Sequence, residues 1–500
     1  MLLKPQKKDI KIITYYLGKI IIGLSLTLVL PLVFALANHE INPALDFGIS
    51  FLISLIIGLI LITLCRTGED LNWMQGMSLV GLSWLAAMFL GAIPLFLSGH
   101  WQSYLDACFD AMSGFATTGL VLVQDLDHLA SSHNLWRHLM MFIGGQGIVI
   151  VALSFFVRGL SGAFKMYVGE AREERVLPNV VHTARFIWLV SIIYLILGST
   201  ALSLIAQAEG ISRGASFFHG LCIFMAAFDT GGFTPQSQNI LYYHSLPFEV
   251  VIITLMLLGA INFRLHYSLW TGNKKEIFKN IEIITFFISV ICLFLFIAFE
   301  LNRLGIYPKL VTLFRKGFYQ LISAHTGTGY MTIYAKQFIR QWTGFAFMGI
   351  ILAMSLGGST CSTTGGIKIL RLDIFFKALA GEIKRIMLPE STVLVQKFHH
   401  IQEVVLEDRQ IRVSLLIFLM YLSLYILGTI IGSLCGYPLP EALFESVSAG
   451  ANVGLSCGIT NPSMPVLLKI TYIFQMWIGR LEFVSIFTLF GVLIAAIKGK

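Results

Sequence analysis

Long apolar runs alternate with short polar punctuation along this chain, and one composite unit recurs four times. The unit is a long apolar helix, a shorter apolar helix, a glycine-centred stretch and a second long apolar helix. A helix needs about 20 apolar residues to cross a hydrocarbon core. By that measure two leading helices are predicted near 12–36 and 46–65. Outer and inner helices of the four units follow near 76–98 and 135–158, 186–207 and 246–270, 281–303 and 341–371, and 411–435 and 466–498. Ten crossings put both termini on one side of the membrane. Repetition at this scale decides the architecture before any single motif does.

The glycine stretches read Ala116-Thr117-Thr118-Gly119-Leu120, Thr230-Gly231-Gly232-Phe233, Gly327-Thr328-Gly329-Tyr330 and Asn452-Val453-Gly454-Leu455. Six and five residues before the aligned glycine stand Ser113/Gly114, Ala226/Ala227, Ser323/Ala324 and Ser448/Ala449, all small. Non-helical backbone at membrane depth is tolerated only where protein buries it or water fills a cavity beside it. Four such segments are therefore expected to face one another. Glycine can take backbone angles that turn successive carbonyls to one side, and converging carbonyls can replace the water shell of a monovalent cation, as in potassium-channel filters. The candidate ion ligands are Thr117, Thr118 and Gly119; Thr230, Gly231 and Gly232; Gly327, Thr328 and Gly329; and Asn452, Val453 and Gly454. The expected fold is an all-α polytopic membrane protein: two leading helices, then four helix–pore helix–filter–helix repeats around a central ion pore. Its parts divide as 1–70 for the leading helices, 71–165, 183–275 and 280–375 for repeats one to three, 376–410 for a cytoplasmic loop, and 411–500 for repeat four.

Composition supports a membrane chain: 56% of its 500 residues are hydrophobic and the mean hydropathy is +0.79, too apolar for a soluble core. The net charge of +8 is not a nucleic-acid signature, because the bases are spread over loops on one side: Lys4, Lys7, Lys8 and Lys11, Arg158 to Arg185, Arg264 to Lys279, and Lys368 to Lys397. That side is expected to be cytoplasmic. The opposite loops hold Asp106, Asp110, Asp125, Asp127, Asp229, Glu441 and Glu445. These acids either concentrate cations at the filter mouth or solvate loops and start short helices. For Asp110 both readings stand; for Asp125 and Asp127 the second is expected. Seven cysteines without metal-ligand spacing point to neither a disulfide framework nor a transition-metal site. Ala35-Leu36-Ala37 mimics a signal-peptidase site, but the preceding apolar stretch is too long for one, so a retained helix is expected.

The third inner helix contains Gly357-Gly358-Ser359-Thr360-Cys361-Ser362-Thr363-Thr364-Gly365-Gly366. Such a run is a poor helix former, since glycine exposes backbone and hydroxyls compete for its hydrogen bonds. A break is expected there, either a kink satisfied by neighbouring helices or a mobile loop beneath the filter. Arg480, in the middle of the last helix, would cost roughly 2.5–3.5 kcal/mol facing lipid. It is expected to face the pore as an electrostatic barrier, or to cap carbonyls of the broken third helix; Glu482, two residues on, does not share its face. Gly454-Leu455-Ser456-Cys457-Gly458 matches a serine-hydrolase string but lacks the preceding strand, and His325 is expected to be a packed helix end. No nucleotide-binding string is present, so no enzyme is expected.

With Asn262-Phe263-Arg264-Leu265-His266, Gly357 to Lys368 and Gly479-Arg480-Leu481-Glu482 standing in register with the four filters, the chain resembles the Trk/Ktr/HKT superfamily of potassium transporters. It is similar in particular to the TrkH-type membrane subunit of the bacterial Trk potassium uptake system. The resemblance implies potassium as the transported ion, since glycine occupies all four key filter positions. It also implies a gate formed by 357–366 with Arg480, a homodimer, a cytoplasmic nucleotide-binding Trk regulatory protein as partner, and a bacterial inner-membrane location. Symport comes with the class. The alternatives are the potassium-binding subunit of an ATP-driven pump and a sodium-coupled secondary transporter.

Overall fold

The structure, a computed structural model, describes residues 6–148, 166, 168, 170, 180–342, 344–389, 392 and 394–497. Among them, six helices are long and apolar enough to cross a membrane, and two bent helix pairs raise that to eight. The leading pair is Lys8–Ala37 and Ile41–Leu64. Outer helices are Trp73–Leu97, Val180–Ala208, Ile281–Arg303 and Asp408–Leu434. Between each outer and inner helix a shorter helix enters and stops: Tyr104–Phe115, Arg213–Phe228, Tyr319–His325 after a π turn at Leu313–Phe318, and Leu439–Gly450.

The inner helices of repeats two and four correct the expectation of uninterrupted crossings, while that of repeat three breaks where the sequence places a break. In repeat two, Leu246–Ala260 and Phe263–Trp270 meet at 101°. Asn262 makes the corner, its side-chain oxygen accepting the Arg264 N–H at 2.8 Å and so capping the new helix. In repeat four, Val466–Arg480 and Val484–Ala496 meet at 114° through Glu482 and Phe483, with φ of 48° and 72°. In repeat three, Phe345–Ser355 ends and a loop intervenes before Ile369–Met387. That last helix carries Lys377, Lys384 and Arg385, so it is too charged to span. The stretch expected as a loop over 376–410 holds the end of this helix and a hairpin, Lys397–His400 against Gln402–Val405. In repeat one the inner helix is Ser131–Gln146; its expected continuation from 149 to 158, and the loop bases Lys165, Arg172 and Arg175, lie outside the described residues.

Repeats one and four are tied by a buried ion pair. Lys469, on the last inner helix, donates to the Asp106 carboxylate at 2.6 Å and to the Pro462 carbonyl at 2.8 Å. Both side chains are buried. Removing one partner of such a pair strands the other charge, at a cost of about 3–5 kcal/mol. Lys469→Ala is therefore expected to lower the thermal midpoint of detergent-solubilised protein, and adding Asp106→Asn is expected to restore most of it. A double variant as unstable as the single would refute this account.

The filter ring and the loop beneath it

Each short helix ends in the same hydrogen-bonded turn. The N–H of Thr118, Gly231, Thr328 and Val453 donates to the carbonyl five residues back, on Ser113, Ala226, Ser323 and Ser448, at 2.8–2.9 Å. The N–H of Thr117, Thr230, Gly327 and Asn452 donates to Gly114, Ala227, Ala324 and Ala449 at 3.0–3.3 Å. This paired pattern is a Schellman terminus, which needs a left-handed residue at its centre. Thr117, Thr230, Gly327 and Asn452 supply it, with φ of 50°, 50°, 70° and 56°. For the two β-branched threonines that conformation is strained. The small pairs seen in the sequence are thus the last carbonyl acceptors of these helices. Ser113 and Ser448 add hydroxyls that accept the N–H of Gly119 and Gly454, both at 3.0 Å. The Gly232 and Gly329 N–H groups turn instead to the Ala226 and Ser323 carbonyls, both at 3.3 Å.

Two residues after each left-handed turn the key glycine is left-handed too, at φ of 93°, 76°, 82° and 90° for Gly119, Gly232, Gly329 and Gly454. A Cβ on Gly119 would lie 2.4 Å from the Gly231 carbonyl oxygen, and one on Gly232 2.0 Å from that of Thr328. On Gly329 it would lie 2.0 Å from the Val453 oxygen, and on Gly454 2.0 Å from that of Thr118. The sequence of contacts runs from repeat one to two, three, four and back to one. It closes a ring of four carbonyls with a glycine at every junction, and only hydrogen fits there.

The acids are not a funnel of free carboxylates. Asp110 accepts from the Leu122 N–H at 2.7 Å and the Trp101 ring N–H at 2.9 Å. Glu445 is equally buried and accepts from the Cys457 and Ile459 N–H groups at 3.0 and 3.2 Å. Asp229, which the sequence places with the outer loops, is buried at the base of filter two and accepts from Gln146 at 2.7 Å. Asp125 and Asp127 do serve the loops: Asp127 accepts from the Ser237 N–H at 3.1 Å, and a hydrogen bond from the His128 ring holds the exposed Asp125 carboxyl below its ordinary range.

Beneath the ring lies the glycine-serine-threonine loop. Its ends are fastened by Gly357 N–H to Ile367 O at 2.8 Å and Ile367 N–H to Ser355 O at 3.1 Å. The Thr363 hydroxyl lies 3.1 Å from that of Thr230 in filter two and 2.9 Å from the Gly259 carbonyl. A Cβ on Gly365 would lie 2.4 Å from the Ala451 oxygen, at filter four. Thr360 donates its N–H and hydroxyl to Glu282 at 2.7 and 2.9 Å, and Ser362 donates to the Ser359 carbonyl at 2.5 Å. The segment is therefore a folded loop against the filters rather than a kink. Arg480 donates to the Thr363 carbonyl at 2.5 Å and to Gly144 and Gly145 at 2.8 and 3.3 Å. It thus caps carbonyls of both the loop and the first inner helix, while Glu482 pairs with Arg371 and Lys368 caps Thr364.

Other residues fall where chemistry is absent. His325 is stacked on Phe286 at 4.7 Å and bonded to Ser289 at 2.7 Å, a packed helix end. Ser456 donates to Glu445, and His266 is buried against Leu258 and Tyr194. Residues that the sequence did not single out are Arg137, buried with its guanidinium 4.3 Å over the Phe233 ring, and Gly144 and Gly259. A Cβ on either glycine would lie 1.8 Å from the carbonyl of Phe115 or Phe228, the last turn of its own repeat's short helix. Gly479 stands likewise, 2.0 Å from Gly450. A glycine shortly before each break was the available signal.

Four re-entrant helices, a closed carbonyl ring and a loop across its base define a multi-span membrane protein of the cation-transporter class. Over residues 45–496 the chain matches the family described as TrkH, cation transport protein, and it belongs to that family; it is a transporter, not an enzyme. It is 32% identical over 493 residues to an uncharacterized cation transporter of Methanocaldococcus jannaschii, covering 97% of this chain and 96% of the relative. It is 26% identical over 492 residues to the Trk system potassium uptake protein TrkG of Escherichia coli K12, covering 96% and 98%. The crystal structure of the potassium transporter TrkH from Vibrio parahaemolyticus shares the fold, with a TM-score of 0.81 at 22% identity over 97% of this chain and 98% of that one.

Proposed function

We propose that this chain is the potassium-translocating subunit of a Trk-type uptake system, passing K+ and Rb+ through the four-repeat filter into the cytoplasm. The observation that carries the reading is the ring in which each key glycine abuts the next repeat's carbonyl, because such a ring can replace the hydration shell of one ion at a time. The loop 357–366 and Arg480 act as gate and barrier. The ion is cargo, driven by its gradient and by the membrane potential, which is worth about 2.3 kcal/mol per charge per 100 mV. Both termini are cytoplasmic in this reading, the membrane is a bacterial inner membrane, and two copies assemble as a homodimer. A cytoplasmic nucleotide-binding regulatory protein docks on the basic loops, including Lys274 to Lys279 and Lys368 to Arg409.

The test is rubidium uptake into liposomes holding the purified chain, with potassium or sodium as competitor. Potassium is expected to block uptake at concentrations where sodium hardly does. Equal competition would reject potassium selectivity, and no cation flux with or without a regulatory partner would favour a pump subunit or a sodium-coupled carrier.

A further inference from the structure

One position on the short helices, nine residues before the key glycine, is occupied by Asp110, Ile223, Gln320 and Glu445 in repeats one to four. The two carboxylates are fully buried, so neither can attract ions from bulk solvent. Both reach across to the strand that leaves the filter, and they take the same N–H, three residues past the glycine. Asp110 accepts from Leu122 at 2.7 Å and Glu445 from Cys457 at 3.0 Å. Glu445 holds more of that strand, accepting from the Ile459 N–H at 3.2 Å and the Ser456 and Thr460 hydroxyls at 2.5 and 2.9 Å. Repeat two has no acceptor at Ile223. There the Tyr330 hydroxyl, sent over from filter three, donates to the Phe233 and Ile223 carbonyls at 3.1 and 3.2 Å. In repeat three the Gln320 amide and the Ser323 hydroxyl donate to the Tyr330 carbonyl at 3.5 and 2.8 Å.

The exit strands are irregular, and Leu122, Cys457 and Ile459 on them are buried, so their N–H groups must be satisfied. An ionised carboxylate is acceptor-only, and its bonds to N–H groups are shorter and roughly twice as strong as neutral ones. We infer that Asp110 and Glu445 are positioning residues that set potassium-over-sodium discrimination, by pinning the exit strands of filters one and four so that the carbonyl ring cannot shrink around the smaller ion. This rests on the filter reading given above. Filter four, whose ring position is Val453 rather than threonine or glycine, depends most on its brace.

The experiment is rubidium uptake by Glu445→Gln and Asp110→Asn in the full chain in liposomes, with potassium or sodium as competitor and rates normalised to folded protein. Each amide keeps the size of the acid but replaces one acceptor oxygen with a donor. Uptake is expected to persist while the potassium-to-sodium preference falls about tenfold, more in Glu445→Gln than in Asp110→Asn. Where Glu445→Gln yields no monodisperse protein, Thr460→Val removes one donor and leaves the acid; about a threefold fall is then expected. A purely structural role would lower the yield of folded protein and leave the preference of what folds untouched. Unchanged preference in the folded variants overturns the inference. A wild-type protein that itself fails to discriminate overturns the reading of function instead.

Discussion

Gly329→Ala is expected to reduce rubidium uptake by at least about 100-fold while the protein still reaches the membrane. Two costs coincide at this residue. Its φ of 82° lies where an L-residue is disfavoured by roughly 1–2 kcal/mol. Its new methyl would also stand 2.0 Å from the Val453 carbonyl oxygen, a backbone atom that cannot swing aside. That oxygen is itself a member of the ring, so relief of the clash moves an ion ligand. With each 1.4 kcal/mol worth about tenfold in rate, a distortion of modest energy removes most conduction. Gly119 offers a graded comparison, because its neighbour is looser: 2.4 Å to the Gly231 oxygen. Gly119→Ser is expected to keep measurable flux and to lose preference for potassium over sodium. Uptake by Gly329→Ala at more than a tenth of the wild-type rate would show that the ring is not the ion path.

Arg480→Gln is expected to raise uptake about tenfold or more. At an effective dielectric constant of about 20, two unit charges of like sign roughly 6 Å apart oppose each other by about 3 kcal/mol. The same guanidinium donates to Thr363 of the loop and to Gly144 and Gly145, so its removal also frees the loop proposed as the gate. Arg480→Lys separates the two effects, since lysine keeps the charge and loses the planar fork. Slow flux in Arg480→Lys assigns the effect to charge; fast flux assigns it to the clamp. No acceleration in either variant would remove Arg480 from the gate.

The four glycine turns were readable in the sequence because their demands are local. A left-handed turn, a glycine with no room for Cβ and small residues at the helix end all follow from backbone geometry, and each leaves a mark at fixed spacing. The break at Gly357–Gly366 was readable for the same reason. The corners of inner helices two and four were harder to read: Gly259 and Gly479 stand shortly before them, but Ile261-Asn262 and Leu481-Glu482-Phe483 themselves carry neither glycine nor proline. What holds these corners is tertiary: Phe263 N–H reaches Cys361 at 3.4 Å, and Glu482 pairs with Arg371. Acids posed the opposite problem. Asp110 and Glu445 resemble mouth residues by position along the chain, and only the turn of the exit strand over them reveals burial. Tyr330 stands directly after its key glycine in the sequence, but its bond into repeat two depends on how repeats sit side by side.

The loop beneath the ring touches filter two through Thr363 and filter four through Gly365, so a single segment lies across the middle of the assembly. A channel built from four identical subunits could not have it, because rotational symmetry would send four copies through one point. Covalent linkage of unequal copies lifts that prohibition. Once duplicated within one polypeptide, the quarters could diverge, one giving up its helix to become a bolt and another supplying the arginine that holds it. Under the gating proposed above, release requires one event per conduit, whereas a symmetric tetramer must coordinate four.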